Sequence, residues 1–179
     1  MDNLAEGRQR RSSRRPRGAI LASVTVPGEP EQVSRARGFV VRVLEAVGLP
    51  GVDSDAATLL TSELVTNAIV HTDSGKPGGT VTVIVSGLPD GALVEVVDNG
   101  SAGIPVVKGD AFAGEGQGLF LVQQMAAQWG YLRDQASTTV WFHLAGEPDC
   151  REHASADHRQ VIVAGDVGRH RVHQVAERP

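Results

Sequence analysis

The sequence predicts an α+β fold: a two-layer α/β sandwich in which helices cover one face of a mostly antiparallel sheet. Segments with strand and helix periodicity are mixed along the chain, in the order β-α-α-β-β-α-β-β, rather than strictly alternating. Neighbouring strands joined by short connections are typical of antiparallel hairpins. A doubly wound parallel fold would need more alternation of strands and helices than this sequence offers.

The first third of the chain predicts one strand and two helices. Apolar residues alternate over 19–26, as in a strand with one buried face, and a Pro-Gly pair then ends the alternation. Apolar residues recur at helical spacing over 30–47, before a Gly-Leu-Pro sequence. A second helix, with Asp53 or Ser54 as its N-cap, runs to about His71.

The middle and the end of the chain predict two pairs of strands. Alternating valines mark strands over 80–86 and 92–97, and the Leu-Pro-Asp-Gly sequence between them has the residues of a hairpin turn. Residues 99–116 contain five glycines, and loops of this length tend to be functional lids or disordered. The remaining predicted elements are a helix over 117–128 and strands over 129–133 and 138–144.

Composition and charge limit the class of protein. The chain has 179 residues, of which 41% are hydrophobic and 21% charged, as expected for a globular domain with a core. No apolar run approaches the roughly 20 residues that span a bilayer, so we expect no membrane contact. The single cysteine, Cys150, excludes an intrachain disulfide and fits a reducing compartment, which predicts a cytoplasmic protein.

The charges divide the chain into three parts. Residues 1–18 carry six arginines and two acidic residues, and we expect a disordered basic arm. Residues 19–145 carry six basic and thirteen acidic residues and form the predicted domain. Residues 146–179 have few apolar residues and are expected to be a loosely ordered C-terminal tail. The acidic domain is a poor candidate for direct binding of nucleic acid.

The second helix carries a stripe of polar residues. Glu63, Asn67 and His71 follow at i, i+4 and i+8 and therefore lie along one helical face. A carboxylate in this position can accept a proton, and an amide oxygen can bind a hard cation such as Mg²⁺. The alternative is an ordinary surface helix with polar residues on its solvent side.

Two glycine-containing segments are further candidates. Asp98 ends an apolar strand, where its carboxylate can accept a hydrogen bond from an exocyclic amine such as that of adenine; alternatively, it caps its own Asp-Asn-Gly turn. Gly114, Gly116 and Gly118 lead into a helix N-terminus, whose free amides suit phosphates, although such runs often merely turn the chain. The sequence has no P-loop motif.

In order and spacing, these segments resemble the three nucleotide-binding boxes of the GHKL (Bergerat-fold) ATPase superfamily. Over about residues 20–145, the chain most resembles the stand-alone anti-sigma-factor serine/threonine kinases, the RsbW/SpoIIAB-like ATP-binding proteins. The matching motifs are Glu63-x-x-x-Asn67-x-x-x-His71, Asp98-x-Gly100 and Gly114-x-Gly116-x-Gly118. The resemblance implies a histidine-kinase-like ATPase fold with ATP and Mg²⁺ as cofactors.

The resemblance also implies a role for each matching residue. Asn67 would hold the Mg²⁺ that bridges the phosphates of ATP, and Glu63 would be the catalytic general base. Asp98 would bind the adenine amino group, and Gly100 would let the nucleotide approach the backbone. The other implied nucleotide contacts are a phosphate cradle of Gly114, Gly116, Gly118 and the amide of Leu119, Thr139 beside Asp98, and His71 at the close of the first box.

Two features depart from the family pattern. The second box usually reads Asp-x-Gly-x-Gly, whereas Gly103 stands one residue later here, although we still assign it to the nucleotide site. The loop before the third box has Lys108 as its only cation and contains no arginine. This loop therefore offers few positive charges that could stabilise the γ-phosphate.

Two functions follow from the resemblance. The first is ATP-Mg²⁺-dependent phosphorylation of a serine or threonine on an STAS-type anti-sigma factor antagonist, combined with sequestration of a sigma factor by a homodimer. The second is a non-catalytic ATP-binding module that binds a protein partner without useful turnover. Retention of Glu63 favours the first, and the shortage of cations before the third box favours the second. A metal site at Cys150, His153 and His158 is a weaker alternative, and His143 is expected to be structural.

Overall fold

The computed structural model describes residues 10–11, 15–101 and 117–146. Within these ranges the chain forms six strands, three α-helices and one short 3₁₀ helix, as the α+β prediction requires. The elements are β1 Arg10–Arg11, β2 Ala19–Pro27, α1 Gln32–Val47, α2 Ser54–His71, a 3₁₀ helix at Asp73–Gly75, β3 Thr80–Leu88, β4 Gly91–Asp98, α3 Gln117–Met125, β5 Gln128–Arg133 and β6 Thr138–Ala145.

The strands form one sheet in the order β1-β5-β6-β4-β3-β2. Every pairing from β5 to β2 is antiparallel, and only the two-residue β1 lies parallel to its neighbour β5. The expected hairpins β3–β4 and β5–β6 are present. β4 and β6 lie together at the centre, so a residue near the end of β4 is shielded by strands on both sides.

The three helices pack on one face of the sheet, which confirms the predicted two-layer sandwich. This inner face collects the apolar residues that alternate along each strand, and α2 lies against β4 through an apolar side of its own. The largest buried side chains of this core include Phe39 and Val40 of α1, Leu60 and Val65 of α2, Val83 and Val85 of β3, Val94 and Val96 of β4, and Phe142 of β6.

The opposite face, which we call the outer face, is also buried over the central strands. β4 alternates between Val94 and Val96 on the inner face and Leu93 and Glu95 on the outer face, and all four are buried. On β6, Trp141 and His143 lie on the outer face in the same way. β4 is therefore apolar along most of its length, as expected for a strand that is buried on both faces.

Three arginines of the basic N-terminal segment contact this sheet. Arg10 and Arg11 pair with Gln128 and Trp129 at the β5 edge, and Arg15 forms an ion pair with Glu95 on the outer face. The sequence predicts disorder over residues 1–18 and gave no indication of these contacts. Residues 1–9 and 12–14 lie outside the described residues.

The start of α2 and the end of α1 lie where the sequence predicts them. The Asp53 carboxylate accepts hydrogen bonds from the amides of Asp55 and Ala56, each at 2.9 Å, and is the N-cap of α2. α1 ends at Val47, and the following C-cap residue is Gly48, whose left-handed φ of 61° favours glycine. None of the described helices combines the length and the apolar character needed to cross a bilayer.

A buried hydroxyl joins the end of α2 to the sheet. Ser74 Oγ donates to the carbonyl of Thr80 at 2.6 Å and accepts from the amide of Asn99 at 2.9 Å. The side chain of Asn99 in turn accepts from the amide of Thr80 at 2.7 Å. The backbone of Gly28 lies directly against this turn, and a Cβ at Gly28 would be only 1.7 Å from the Ser74 carbonyl oxygen. These contacts fix the segment that follows Asp98.

Replacing Ser74 with alanine tests this junction. Ser74→Ala leaves a buried carbonyl and a buried amide without their partner, and we expect the free energy of unfolding to fall by about 1–3 kcal/mol. Ser62→Ala is the matched control, because Ser62 Oγ donates at 2.8 Å to the carbonyl of Thr58 within the same helix and joins no other element among the described residues. Equal urea midpoints for the two variants would contradict the proposed importance of Ser74.

Candidate functional site

Helix α2 and the start of helix α3 form the first part of the site. Glu63 and Asn67 are half-buried on α2, and Gly118 of α3 packs directly against them. A Cβ at Gly118 would lie 2.8 Å from Asn67 Nδ2 and 2.9 Å from Glu63 Oε2. Any larger residue at position 118 must therefore displace these side chains. The structure thus brings together one residue of the third predicted box and two of the first.

The N-terminus of α3 provides backbone donors beside this contact. Gly118 and Leu119 lie in the first turn of the nine-residue helix, where amides have no partner within the helix. Leu119 is anchored by its buried side chain, so its backbone has a fixed position. Free amides at the positive end of a helix favour anions. The carboxylate and amide of α2 therefore lie next to a place suited to a phosphate group.

Asp98 forms the second part of the site. It is the last residue of β4 and is 6% exposed. Its Oδ1 accepts a hydrogen bond from the amide of Gly100 at 2.6 Å, so the Asx turn anticipated as an alternative is present. Gly100 has a left-handed φ of 73°, and its carbonyl accepts from the amide of Asp73 at 2.8 Å. The loop after Asp98 is thus held against the segment that follows α2.

The surroundings of Asp98 shift the pKa of its carboxyl group. Burial raises the pKa of the Asp98 carboxyl above its ordinary value of 3.8, whereas hydrogen bonds from the amides of Gly100 and Thr138 and the positive charge of Arg133 act in the opposite direction. A buried acid with a shifted pKa at the end of a central strand is a typical feature of ligand sites.

The register of β4 and β6 corrects the position of one predicted site residue. The sequence interpretation put Thr139 beside Asp98, but Asp98 pairs with Thr138, and Thr139 pairs with Val97. Because successive side chains alternate between faces, Thr138 shares the inner face with Asp98 and Thr139 lies on the outer face. Thr138 is buried and is therefore the threonine next to the carboxylate.

The remaining predicted residues fall into two groups. His71 is the last residue of α2 and is exposed, and it is not among the side chains nearest to Gly118. The other predicted residues lie outside the described residues: Gly103, Gly114 and Gly116 of the boxes, Lys108 of the intervening loop, and Cys150, His153 and His158 of the alternative metal site.

Four residues that sequence reasoning missed support the site. Thr138 and Arg133 act on Asp98 from the strand pair β5–β6, and Ser74 and Asn99 hold the loop that follows it. A signal for Asn99 was present in the Asp-Asn-Gly sequence, where asparagine often bonds to nearby backbone. Thr138 could have been found only from the pairing register.

The raised pKa of Asp98 predicts a pH-dependent stability. A folded-state pKa above the unfolded value stabilises the fold below the ordinary pKa of 3.8, and this contribution is lost as the pH rises through the folded pKa. We therefore expect the stability of the wild type relative to Asp98→Asn to decrease as the pH is raised from about 3 to 7. Urea unfolding at several pH values measures this difference.

Asp134→Asn is the control of opposite sign. Hydrogen bonds from the amide of Ala136, the hydroxyl of Ser137 and the amide of Ser137 lower the pKa of Asp134 below its ordinary value. The stability of the wild type relative to Asp134→Asn should therefore increase as the pH is raised over the same range. The same slope for both variants would show that Asp98 does not have the expected shift.

Comparison with known proteins identifies the family. The chain matches the family model of the histidine kinase-like ATPase domain over residues 26–144, which covers most of the described elements. No curated protein matches the chain. The matched range contains α2, Asp98 and the start of α3, and ATP is the ligand that this kind of domain implies. The chain therefore belongs to the family of histidine kinase-like ATPase domains.

Proposed function

We propose that this ATP-binding domain is an Mg²⁺-dependent serine/threonine protein kinase that phosphorylates an STAS-type anti-sigma factor antagonist and sequesters a sigma factor. The observation that carries the proposal is the packing of Glu63 and Asn67 against Gly118 at the start of α3. This contact combines a potential base, a potential metal ligand and phosphate-binding amides. Phosphoryl transfer depends mainly on positioning and charge neutralisation, for which such a set is sufficient.

The residues present fit Mg²⁺-ATP. In the described part of the chain no three His, Cys, Asp or Glu side chains cluster to form a metal site. Mg²⁺ does not need such a cluster, because it is commonly held by one or two protein oxygens together with substrate phosphates. Asn67 would supply the protein oxygen, and the absence of a side chain at Gly118 lets the amides at the start of α3 lie close to it. Bound Mg²⁺ would neutralise charge on the phosphates.

Glu63 is the proposed base. Its carboxylate would accept the proton of the attacking serine or threonine hydroxyl as the oxygen forms its bond to the γ-phosphorus. The bond between that phosphorus and the β–γ bridging oxygen breaks, and ADP leaves. Asp98 would accept a hydrogen bond from the adenine amino group, with Thr138 beside it. His71 and Leu119 are proposed as further nucleotide contacts, together with Gly100, Gly103, Gly114 and Gly116.

A second candidate function is ATP binding without useful turnover. The observation that favours it is the composition of the loop over 99–116, where Lys108 is the only cation. Kinases usually neutralise the transferred phosphoryl group with several positive charges. The protein would then use ATP as a structural ligand and bind its partner as a regulatory module. For both candidate functions, the resemblance to anti-sigma-factor kinases supports an STAS-type antagonist and a sigma factor as partners. It also supports a homodimer.

Calorimetry of ATP binding tests the nucleotide site. For the wild type we expect binding that strengthens with Mg²⁺. Asp98→Ala should lose binding in either condition, because the adenine acceptor is gone. Asn67→Ala should lose the dependence on Mg²⁺. Absence of ATP binding by the folded wild type would contradict both candidate functions.

Turnover separates the two candidates. Incubation with radiolabelled ATP and a panel of STAS-type antagonist proteins should transfer label to one serine or threonine. Glu63→Gln should reduce the rate by about 10²–10⁴-fold with little change in ATP affinity. If the wild type binds Mg²⁺-ATP but transfers no label to any antagonist, the non-catalytic module is the correct function.

Gly118→Ala tests the contact between the two helices. The added methyl group must displace Glu63 and Asn67, and a misplacement of about 1 Å can reduce turnover about 100-fold. Gly38→Ala is the matched control, because the nearest atom to a Cβ there is the mobile end of Arg42 at 3.2 Å. Alanine favours a helix over glycine, so the control should be at least as stable as the wild type. Equal kinase rates and ATP affinities in the two variants would exclude a close contact at Gly118.

A further inference from the structure

The end of the β5–β6 hairpin lies beside the loop that begins at Asp98. We call residues 133–138 the hairpin end and residues 98–101 the acceptor loop. Both segments lie at the same end of the sheet, because Thr138 pairs with Asp98 on one side and with Arg133 on the other. The hairpin end belongs to none of the three boxes that the sequence resembles. It is therefore a part of the site that matching of motifs does not assign.

Two backbone contacts join the hairpin end to the acceptor loop. The amide of Thr138 donates a hydrogen bond to the Asp98 carboxylate. The carbonyl oxygen of Ala136 lies so close to Gly100 that a Cβ at Gly100 would be only 3.3 Å from it. The turn has hydrogen bonds of its own, because Asp134 Oδ1 accepts from two amides within it, at 2.8 and 2.7 Å. The acceptor loop therefore lies against an internally bonded turn.

Arg133 adds a side-chain contact to the same loop. It shares the inner face with Thr138 and Asp98, because residues directly opposite each other on paired strands project from the same face. Neighbouring strands lie about 4.8 Å apart, so the arginine has to extend across β6 to reach the loop. Its guanidinium donates a hydrogen bond to the carbonyl of Ser101. Arg133 therefore brings a donor and a positive charge to the acceptor loop.

We propose that Arg133 is a positioning residue of the ATP site, which holds the acceptor loop in the conformation that presents Asp98 to adenine. Its role rests on the proposed function, in which Asp98 accepts a hydrogen bond from the adenine amino group. Ser101 is three residues after Asp98, and the amide of Gly100 between them donates to Asp98 Oδ1 at 2.6 Å. Release of the Ser101 carbonyl therefore loosens the hydrogen bond that orients the carboxylate.

The charge of Arg133 has a second consequence for ATP binding. Burial raises the pKa of the Asp98 carboxyl, and the positive charge of Arg133 opposes this shift. An ionised carboxylate accepts a hydrogen bond more strongly than a protonated acid does. Loss of the charge raises the pKa of Asp98 further, so ATP binding should begin to weaken at a higher pH when the solution is acidified.

Other titratable side chains lie on the elements around this carboxylate, namely α2, the 3₁₀ helix with its cap and the hairpin end. They are Glu63, His71, Asp73, Lys76 and Asp134. Asp73 and Lys76 form an ion pair with each other at 2.7 Å. All of these groups, and the phosphates of ATP, are the same in the wild type and in a variant of Arg133. The ratio of the two ATP affinities at each pH therefore isolates the effect of Arg133.

Two substitutions separate the hydrogen bond from the charge. Arg133→Gln keeps amide donors but removes the positive charge, whereas Arg133→Lys keeps the charge on a compact ammonium group and loses the planar guanidinium. Arg42→Gln is the matched control, because it removes an exposed arginine from α1, which carries none of the site residues. Arg133 is itself exposed, so we expect all three variants to fold. Urea midpoints check this expectation.

Calorimetry of Mg²⁺-ATP binding to the full-length chain, from about pH 5 to about pH 8, is the test. At the upper end Arg133→Gln should bind ATP about tenfold more weakly than the wild type, because the contact with Ser101 is lost. The ratio should grow as the pH falls, because the pKa of Asp98 is higher in this variant. Arg133→Lys should show the same pH dependence as the wild type, and Arg42→Gln should bind as the wild type does.

The outcomes that contradict the positioning role are distinct from failure of the proposed function. An Arg133→Gln chain that binds ATP as tightly as the wild type at every pH would overturn this role alone. An equal loss of affinity in Arg133→Gln and Arg133→Lys, independent of pH, would leave Arg133 a merely structural residue and would also overturn it. A folded wild type that binds no ATP would overturn the positioning role and the proposed function together.

Discussion

The hydroxyl of Ser74 holds together the two parts of the molecule on which the nucleotide site depends. It bonds to the carbonyl that begins β3 and to the amide that follows β4, directly after the last turn of α2. Glu63 and Asn67 belong to that helix, and Asp98 ends that strand. The Ser74 contact therefore sets the position of Asp98 on β4 relative to Glu63 and Asn67 on α2. None of these three site residues takes part in the contact.

The close approach of backbone around Ser74 explains several glycines. Gly28 and Gly79 both lie so near the Ser74 carbonyl that a Cβ would overlap with it, at 1.7 Å and 2.2 Å respectively. The amide of Gly28 also donates to the carbonyl of Gly79 at 3.0 Å, which ties the end of β2 to the start of β3. The chain can pass three times through this small region only because these positions have no side chain.

Most of the fold could be predicted from the sequence, because its apolar periodicities are long and its turns carry Gly, Pro or Asp. The strand over 19–26 and the helix that ends at His71 agree with the structure to within a residue. α3 ends at Met125 rather than Gln128, and β5 begins at Gln128, since helix and strand periodicities cannot be separated over so few residues.

Less of the site could be predicted, because its geometry depends on contacts between distant segments. The pairing of Asp98 with Thr138 instead of Thr139 is a difference of one residue in register, which reverses the face on which a side chain lies. The contact of Gly118 with Glu63 joins residues far apart in sequence. The ion pair of Arg15 with Glu95 was hidden for another reason: arginine-rich composition alone predicts disorder, and a single acid within an apolar strand does not reveal its partner.

The distribution of the two tryptophans has a consequence for spectroscopy. Trp129 belongs to the inner core beneath the helices, whereas Trp141 lies on the outer face, and both are buried. The chain therefore has one fluorescent tryptophan on each face of the sheet, and Tyr131 is its only tyrosine. Replacing either tryptophan with phenylalanine would leave a fluorescent reporter for one face. Loss of the helical layer and exposure of the outer face could then be followed as separate events within the same molecule.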